Sequence, residues 1–399
     1  MLNQDSQDGS GESLSAALKT VIRSNMRQYT MIAALLLIWL IFSVLTGGIF
    51  LTSRNLSNLF MQMVTIAIMT SGMVLIMVAG NIDLSIGSVL GTLGALAAWL
   101  MSIKGMGPIP AILITLAAGL MVGAWHGFWI AHRKVPAFIV TLASQMAFKG
   151  ITLAITKGTT IGEFNEGFKN IGQGYIPSFS SEEFMHVSTI VLVLIAVALF
   201  IFATIRTRKK RISNGFTVLR PSLEVAKIVI VSAAILGVGF VFASYRGIPF
   251  AIVLLAAVAG IYIVITTRTP FGRHVYATGG NQEAARLSGV NISKTLMLIC
   301  ISMGILNAVA AIVFTARLNA ATTAAGSGIE LDVIAGCIIG GTSPWGGVGT
   351  IFGAIIGALV MASLDNGMSI MNLPIMYQYM VKGLILLVAV WIDYANRKK

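Results

Sequence analysis

Runs of about twenty apolar residues, separated mostly by short polar links, recur from one end of the chain to the other. They lie near residues 30–48, 61–79, 84–101, 110–131, 135–156 and 187–205, then 226–244, 248–267, 295–316, 349–364 and 373–391. A shorter run at 331–342 makes twelve. A hydrocarbon core about 30 Å thick takes roughly 20 helical residues to cross, so the long runs predict transmembrane helices. In lipid each segment must satisfy its own backbone polar groups, and uninterrupted runs of this length do so as helices, not as barrel strands. The short run would be about 18 Å long as a helix, too short for an upright crossing, and is expected to be a re-entrant or half helix buried by its neighbours. The expected fold is therefore an all-α polytopic membrane protein of about 12 segments.

Composition agrees. Of 399 residues 56% are hydrophobic and 10% charged, against about 25% charged in an ordinary soluble domain, which excludes a water-soluble globule. The formal charge of +13 would suit a nucleic-acid partner only if it were spread over a soluble surface. Instead it is sided. With the N-terminus in the cytoplasm, 19 of the 27 Lys and Arg fall on the inner links, and the positive-inside rule supports that register. The inner set includes Arg133, Lys134, the cluster Arg206 to Arg211, Arg273, Arg286 and Arg397 to Lys399. No nucleic-acid partner is expected; the bilayer is the partner that the composition demands.

This register predicts a cytoplasmic segment 1–29, a transmembrane domain 30–391 and a cytoplasmic tail 392–399. Within the domain it predicts an outer loop 157–186, a basic inner loop 206–225 and an inner loop 268–294. The first run, 30–48, lacks a small-residue cleavage site and reads as an uncleaved span. Cys300 and Cys337 sit inside apolar runs and suggest neither a disulfide nor a metal site. The four histidines show no paired spacing with carboxylates or cysteines, so no metal and no proton relay is expected. Two glycine ladders echo each other, Gly87-x3-Gly91-x2-Gly94 and Gly349-x3-Gly353-x3-Gly357, a match that either a parallel internal repeat or glycine-rich composition alone produces.

The inner link Gly272 to Gly289 is polar and patterned for a short helix of about two turns: Asn281 suits the N-cap, Glu283 the positive first turn and Gly289 the left-handed stop. From spacing alone this describes a solvated connector. Its residues, however, carry a motif. Glu283-Ala284-Ala285-x3-Gly289 resembles the core of the cytoplasmic coupling loop of ABC importer permeases. The longer run Tyr276-Ala277-x-Gly279-Gly280-Asn281-x-x-Ala284-Ala285-Arg286-Leu287-Ser288-Gly289 is similar to the ribose, galactose and xylose permease branch. Ile82-Asp83-Leu84-Ser85-Ile86-Gly87-Ser88, Lys134 to Leu142, Glu330-Leu331-Asp332 and Gly340 to Ser343 extend the resemblance over nearly the whole chain. Ala362 to Ser369, Gln378-Tyr379-x-Val381-Lys382-Gly383 and an extra pair of spans near 187–245 most resemble the xylose and multiple-monosaccharide members.

The resemblance implies a non-catalytic, multi-pass permease of the bacterial inner membrane with both termini in the cytoplasm, working as a homodimer or pseudo-symmetric pair. It implies two cytoplasmic ATPase subunits that hold ATP and Mg, and a periplasmic sugar-binding protein that delivers a monosaccharide. Gly279, Gly280, Asn281, Glu283, Ala284, Ala285, Arg286 and Gly289 would contact the ATPase. The chain itself has no Gly-x4-Gly-Lys-Ser/Thr phosphate loop, so no cofactor is expected in it. The alternative is a secondary sugar carrier that needs no ATPase.

A path for a neutral sugar calls for small residues and hydroxyl or amide partners that do not trap the cargo. Asn81, Ser85, Ser88, Asn307, Thr342, Ser363 and Asn366 are the candidates, with Asp83. A charge within an apolar run asks for a reason. Asp83 has two, capping a helix that starts at Leu84 or touching sugar hydroxyls, and capping is favoured. Ser343 before Pro344 has the pattern of an N-cap with proline at the first helical position. Trp125 and Trp129 read as interfacial anchors. Lys149 and Lys382 are placed in spans, Lys382 too deep for snorkelling to explain easily.

Overall fold

The computed structural model describes residues 26–179, 185–216, 218 and 220–397. Residues 1–25 of the N-terminal segment, Glu182 and Glu183 of the outer loop, and the last two lysines lie outside the described residues.

Among the described residues there are fifteen helices and a single two-stranded ladder. The helices are α1 (Met26–Leu45), α2 (Ser53–Val78), α3 (Ile86–Ala98), α4 (Pro108–Gly127), α5 (Ala137–Thr156), α6 (Glu166–Gln173), α7 (Val187–Ser213) and α8 (Pro221–Ala243). They continue with α9 (Phe250–Arg268), α10 (Pro270–Gly280), α11 (Gln282–Leu287), α12 (Ile292–Leu318), α13 (Ile329–Ile339), α14 (Ile351–Ile370) and α15 (Ile375–Arg397). Among the described residues nine helices are long and apolar enough to cross a membrane, and shorter apolar helices cover Tyr29–Leu45 and Ile375–Trp391. With α13 these are the twelve segments that the apolar runs predict.

The chain divides into two compact units. The smaller contains α7 and α8, packed on each other: a Cβ at Gly239 would lie 2.5 Å from Val193. Arg208 pairs with Glu224 across the two helices. The basic stretch 206–225 is not all loop, because α7 continues to Ser213. Lys and Arg are good helix formers, and the helix stops only at Asn214-Gly215, where Gly215 turns with φ 72°.

The larger unit, residues 31–175 and 249–399, holds the remaining spans. α2 is apolar nearly all round and is buried along most of its length, as a helix without a polar face must be. α4 and α12 meet through small residues. A Cβ at Gly304 would lie 2.2 Å from the Gly119 carbonyl oxygen and 2.8 Å from Gly123 Cα, and one at Gly123 would lie 2.4 Å from the Cys300 carbonyl oxygen. In lipid, close backbone approach replaces the hydrophobic effect as the source of helix association. Gly304→Leu is therefore expected to force the pair apart, costing at least about 1–3 kcal/mol and lowering the unfolding temperature of the detergent-solubilised protein.

The segment 157–186, expected as an outer loop, is not structureless. β1 (Ile161–Gly162) pairs antiparallel with β2 (Ala320–Ala321), and α6 buries Phe168 against Phe164, Ile312 and Ala316. Asn165 caps α6 by accepting from the Phe168 amide at 3.0 Å. Gln173 Nε2 donates to the Arg317 carbonyl at 2.9 Å, so this segment is fastened to the C-terminal end of α12.

α13, predicted at 331–342, covers Ile329–Ile339 and is about 16 Å long. It is buried from Asp332 to Ile338. Both glycine ladders serve it. A Cβ at Gly87 would lie 2.3 Å from both Glu330 and the Gly326 carbonyl, and one at Gly91 would lie 2.5 Å from the Ala325 carbonyl. On the other flank a Cβ at Gly353 or Gly357 would lie 2.1 or 1.9 Å from the carbonyls of Gly340 and Gly336. The short helix and its entry loop are seated between α3 and α14 by backbone contact.

Candidate functional site

Two polar constellations of the larger unit lie at opposite ends of α12, a helix of 27 residues and about 40 Å. The first is the link between α9 and α12. It folds as two helices rather than one: Thr269 caps α10 by accepting from the Gly272 amide at 3.1 Å, and the chain extends at Asn281, φ −156°. Asn281 Oδ1 then accepts from the Ala284 amide at 3.0 Å, capping α11. Gly289 closes α11 with φ 86°, while the Gly289 and Val290 amides bond back to Arg286 and Ala285 at 3.0 Å. This is the reciprocal pattern of a glycine-terminated helix.

Of the residues singled out here, Ala285 is buried, while Gly280, Asn281, Glu283, Ala284, Arg286 and Gly289 are exposed. Arg286 Nη2 donates to Glu283 Oε1 at 2.5 Å, one turn apart. Leu287 is 78% exposed, an apolar tip on a polar helix, as expected of a surface that meets a partner. Gly279 is different. A Cβ there would lie 1.5 Å from the Val78 carbonyl oxygen and 2.9 Å from the Gly347 nitrogen, whereas Gly280 has open space around it.

Gly279 thus seats α10 on the C-terminal end of α2 and on the loop 341–350. That loop is tied in twice more: the Gly347 amide donates to the Val78 carbonyl at 2.8 Å, and the Tyr276 hydroxyl donates to the Gly349 carbonyl at 2.7 Å. Burial pushes the Tyr276 phenol above its ordinary range, which keeps it a donor. The expected cap at Ser343-Pro344 does not form. Gly346 and Gly347 both take positive φ and turn the chain, so α14 starts at Ile351 with Thr350 as its cap, accepting from the Gly353 amide at 3.1 Å.

The second constellation surrounds a cavity of about 310 Å³ at the other end of α12, lined by α2, the entry loop and first turn of α13, α14 and α15. Pockets that take small molecules begin at about this size. Its charged lining is Arg317, Asp332, Asp365 and Lys382, beside Gln62, Ser327, Gln378 and Tyr379. Lys382 Nζ lies 2.9 Å from Asp332 Oδ2 and 2.7 Å from Asp365 Oδ1, so this lysine is held by two carboxylates rather than reaching for an interface. Lys149, by contrast, is exposed on α5. Asp332 Oδ1 and Arg317 Nε are buried and have no hydrogen-bond partner among the described residues.

None of the eight path candidates lines this cavity. Ser363 and Asn366 lie on α14 next to the lining residues Ala362 and Asp365, but one residue further round they face elsewhere. The Trp39 indole donates to Ser363 Oγ at 2.9 Å and Asn55 Nδ2 donates to Asn366 Oδ1 at 2.9 Å. Asp83 Oδ1 accepts from the Ser85 amide at 2.8 Å and the Ser85 hydroxyl at 2.6 Å, and α3 begins at Ile86 rather than Leu84. Asp83 Oδ2 lies 3.8 Å from His126 Nδ1, a pairing between the loop before α3 and the end of α4 that spacing within the chain does not reveal. Asn81 and Asp83 border a void of only about 20 Å³, too small for a sugar. Asn307 and Thr342 are buried with an unpartnered side-chain oxygen each, and Ser88 is half-buried on α3.

Arg317, Gln62 and Tyr379 line the cavity but are not among the path candidates. The signal that points toward the cavity is electrostatic: Asp332, Asp365 and Lys382 are charges of opposite sign in apolar runs, and such charges face one another or a polar cavity.

A helical bundle with a polar cavity at one end and a paired surface helix at the other has the parts that a membrane transport permease needs. The family described as branched-chain amino acid transport system, permease component, matches residues 55–390, and the chain belongs to it. It is 43% identical to the xylose transport system permease protein XylH of Haemophilus influenzae over 94% of this chain and 98% of that protein. It is 41% identical to XylH of Escherichia coli over 94% of this chain and 93% of that one. Its identity to the ribose import permease protein RbsC of Escherichia coli is 32%, over 94% and 95%. No solved structure matches the chain significantly.

Proposed function

We infer that the chain is the membrane-spanning subunit of an ATP-driven importer for xylose or a closely related monosaccharide, in the bacterial inner membrane with both termini in the cytoplasm. The carrying observation is the identity of 43% with a xylose permease over nearly the full length of both chains. Charge sidedness supports the orientation, which puts α10 and α11 in the cytoplasm and the cavity at the outer face. A second copy of the chain, two cytoplasmic ATPase subunits carrying ATP and Mg, and an external sugar-binding protein complete the assembly.

The geometry suits this division of labour. α11 offers the ATPase an exposed charge pair and the Leu287 tip, and α10 transmits displacement to the loop 341–350 through Gly279 and Tyr276. That loop joins α13 to α14, and both helices line the cavity. Movement of α11 therefore has a backbone route to the outer site.

Glu283→Arg replaces the acidic partner of Arg286 at the positive end of α11, and Gly289→Pro is incompatible with φ 86°. Each is expected to abolish ATPase association or sugar-stimulated ATP hydrolysis in correctly inserted protein, read by co-purification and by phosphate release. Uptake into proteoliposomes that requires ATP and the ATPase supports the importer. Uptake by the chain alone, driven by an ion gradient, would establish the secondary carrier instead.

A further inference from the structure

We propose that the inner end of the α7–α8 pair is a binding site for the headgroup of an anionic phospholipid, held by Lys210 and Arg211 beside Phe216. The inference rests on the orientation proposed for the chain and gives this smaller unit a partner of its own.

Five of the six residues from Arg206 to Arg211 are basic. With Arg220 and Lys227 they set seven positive charges against one carboxylate, Glu224, between positions 206 and 227. Glu224 is taken by Arg208. Lys210 and Arg211 are exposed and form no ion pair among the described residues. A positive inner side is general in membrane proteins; the placement of these residues is particular. α7 has 27 residues and is about 40 Å long, against a hydrocarbon core of about 30 Å. Its apolar run ends at Ile205, after about 28 Å, so its last two turns stand at the level of the lipid headgroups.

On those turns Thr207, Lys210, Arg211 and Asn214 follow at spacings of three and four and share one face. With Phe216 they line an open pocket of about 470 Å³. Gly215, φ 72°, reverses the chain. The Phe216 amide then donates to the Arg211 carbonyl at 3.0 Å and the Gly215 amide to the Ile212 carbonyl at 3.0 Å, which brings Phe216 back beside the basic turn. These bonds occupy carbonyls at the negative helix end, and the two cations offset the remainder. Phe216 and Ile212 are 65% and 54% exposed. A site for a soluble phosphate gains nothing from exposed apolar side chains. At a membrane interface they reach the acyl boundary while Lys and Arg meet the phosphate.

The test uses the full-length permease in detergent, titrated with phosphatidylglycerol or with phosphatidylcholine of the same acyl chains, with bound lipid counted by native mass spectrometry. The wild-type chain is expected to prefer phosphatidylglycerol roughly thirtyfold, about fivefold for each of two basic residues at an anionic headgroup. Lys210→Gln, Arg211→Gln is expected to lose most of that preference, and an unchanged preference overturns the site. Both residues are exposed, so this variant is expected to unfold at the wild-type temperature in phosphatidylcholine. Should it not, the charge-preserving Lys210→Arg, Arg211→Lys decides: retained preference supports the site and lost preference overturns it. Lys209→Gln, Lys227→Gln removes equal charge outside the pocket and is expected to keep most of the preference; an equal loss there shows a diffuse field and overturns the site. Displacement of the lipid by millimolar inorganic phosphate assigns a free anion instead. Loss of ATPase co-purification from Lys210→Gln, Arg211→Gln, with lipid preference unchanged, assigns a protein partner instead. Orientation is read separately. Ser213→Cys, in a chain without Cys300 and Cys337, is expected to react with a membrane-impermeant maleimide in inverted vesicles and to be protected in intact cells. Reaction in intact cells overturns the orientation, a result distinct from every lipid outcome.

Discussion

Gly279→Val is expected to uncouple the permease while the adjacent Gly280→Ala does not. At position 279 the first side-chain carbon would sit 1.5 Å from the Val78 carbonyl oxygen. That oxygen is already the acceptor for the Gly347 amide at 2.8 Å, so it cannot retreat without breaking the tie between α2 and the loop 341–350. α10 must lift instead. The strain of inserting carbon into a backbone contact is at least about 1–3 kcal/mol, and its first effect is to detach α10 and α11 from their seat. In the importer this is expected to eliminate sugar uptake, with ATP hydrolysis lost or no longer responsive to loaded binding protein. Gly280→Ala has open space and is expected to lie within about 0.5 kcal/mol of the parent. Uptake and ATPase assays on both proteins, at matched membrane levels, separate the close contact from a general need for glycine. Equal behaviour of the two variants would remove α10 packing from the coupling route.

Lys382→Met is expected to be the most damaging single change at the cavity. It leaves Asp332 and Asp365 facing each other across the space that the lysine occupied, with no cation between them. Removing one partner from a buried ion pair costs about 3–5 kcal/mol, because the remaining charge is uncompensated, and here two carboxylates remain. The expected readout is loss of folded, detergent-extractable protein or a large fall in its unfolding temperature. The triple variant Asp332→Asn, Asp365→Asn, Lys382→Met is expected to recover most of the folded yield, since it removes the uncompensated carboxylates together with the lysine. A single Lys382→Met with full thermal stability would show that the three residues do not act as a unit.

The two experiments address the two ends of α13. The seat of α10 and the loop 341–350 sits at one end of α13, and Asp332 lies in its first turn at the other. α13 is short, buried and clasped by glycine ladders, which suits it to move as a rigid piece. Close-packed interiors shift between discrete arrangements instead of deforming gradually.

Much of this was legible in the residue order. Each long apolar run became a helix near its predicted place, since lipid leaves an apolar segment no other way to satisfy its backbone. The short run at 331–342 became a helix of 11 residues because the same length argument forbids a full crossing. Asn281 and Gly289 bracket α11 as read, because caps are local: each depends on an amide or carbonyl a few residues away. Local reasoning failed where glycines between the candidate cap and the span turned the chain, as at Ser343-Pro344, and where the basic stretch 206–213 had nothing to stop a helix.

The path candidates show the limit of residue type. Ser363 and Asn366 are polar residues in a span, yet their partners are Trp39 and Asn55, more than 300 positions away in the chain. Asp365, one residue from Asn366, faces the cavity. On a helix that step is about 100° of rotation, and only packing decides which side meets a neighbour and which meets open space. The sequence by itself determined that the chain spans a membrane many times, which links are positively charged, and where the family motif sits. Only the tertiary structure decided that Lys382 belongs to Asp332 and Asp365, that Gly279 and not Gly280 carries the close contact, and that Arg317 and Asp332 line one cavity. These depend on distances between segments remote in the chain, which no local pattern encodes.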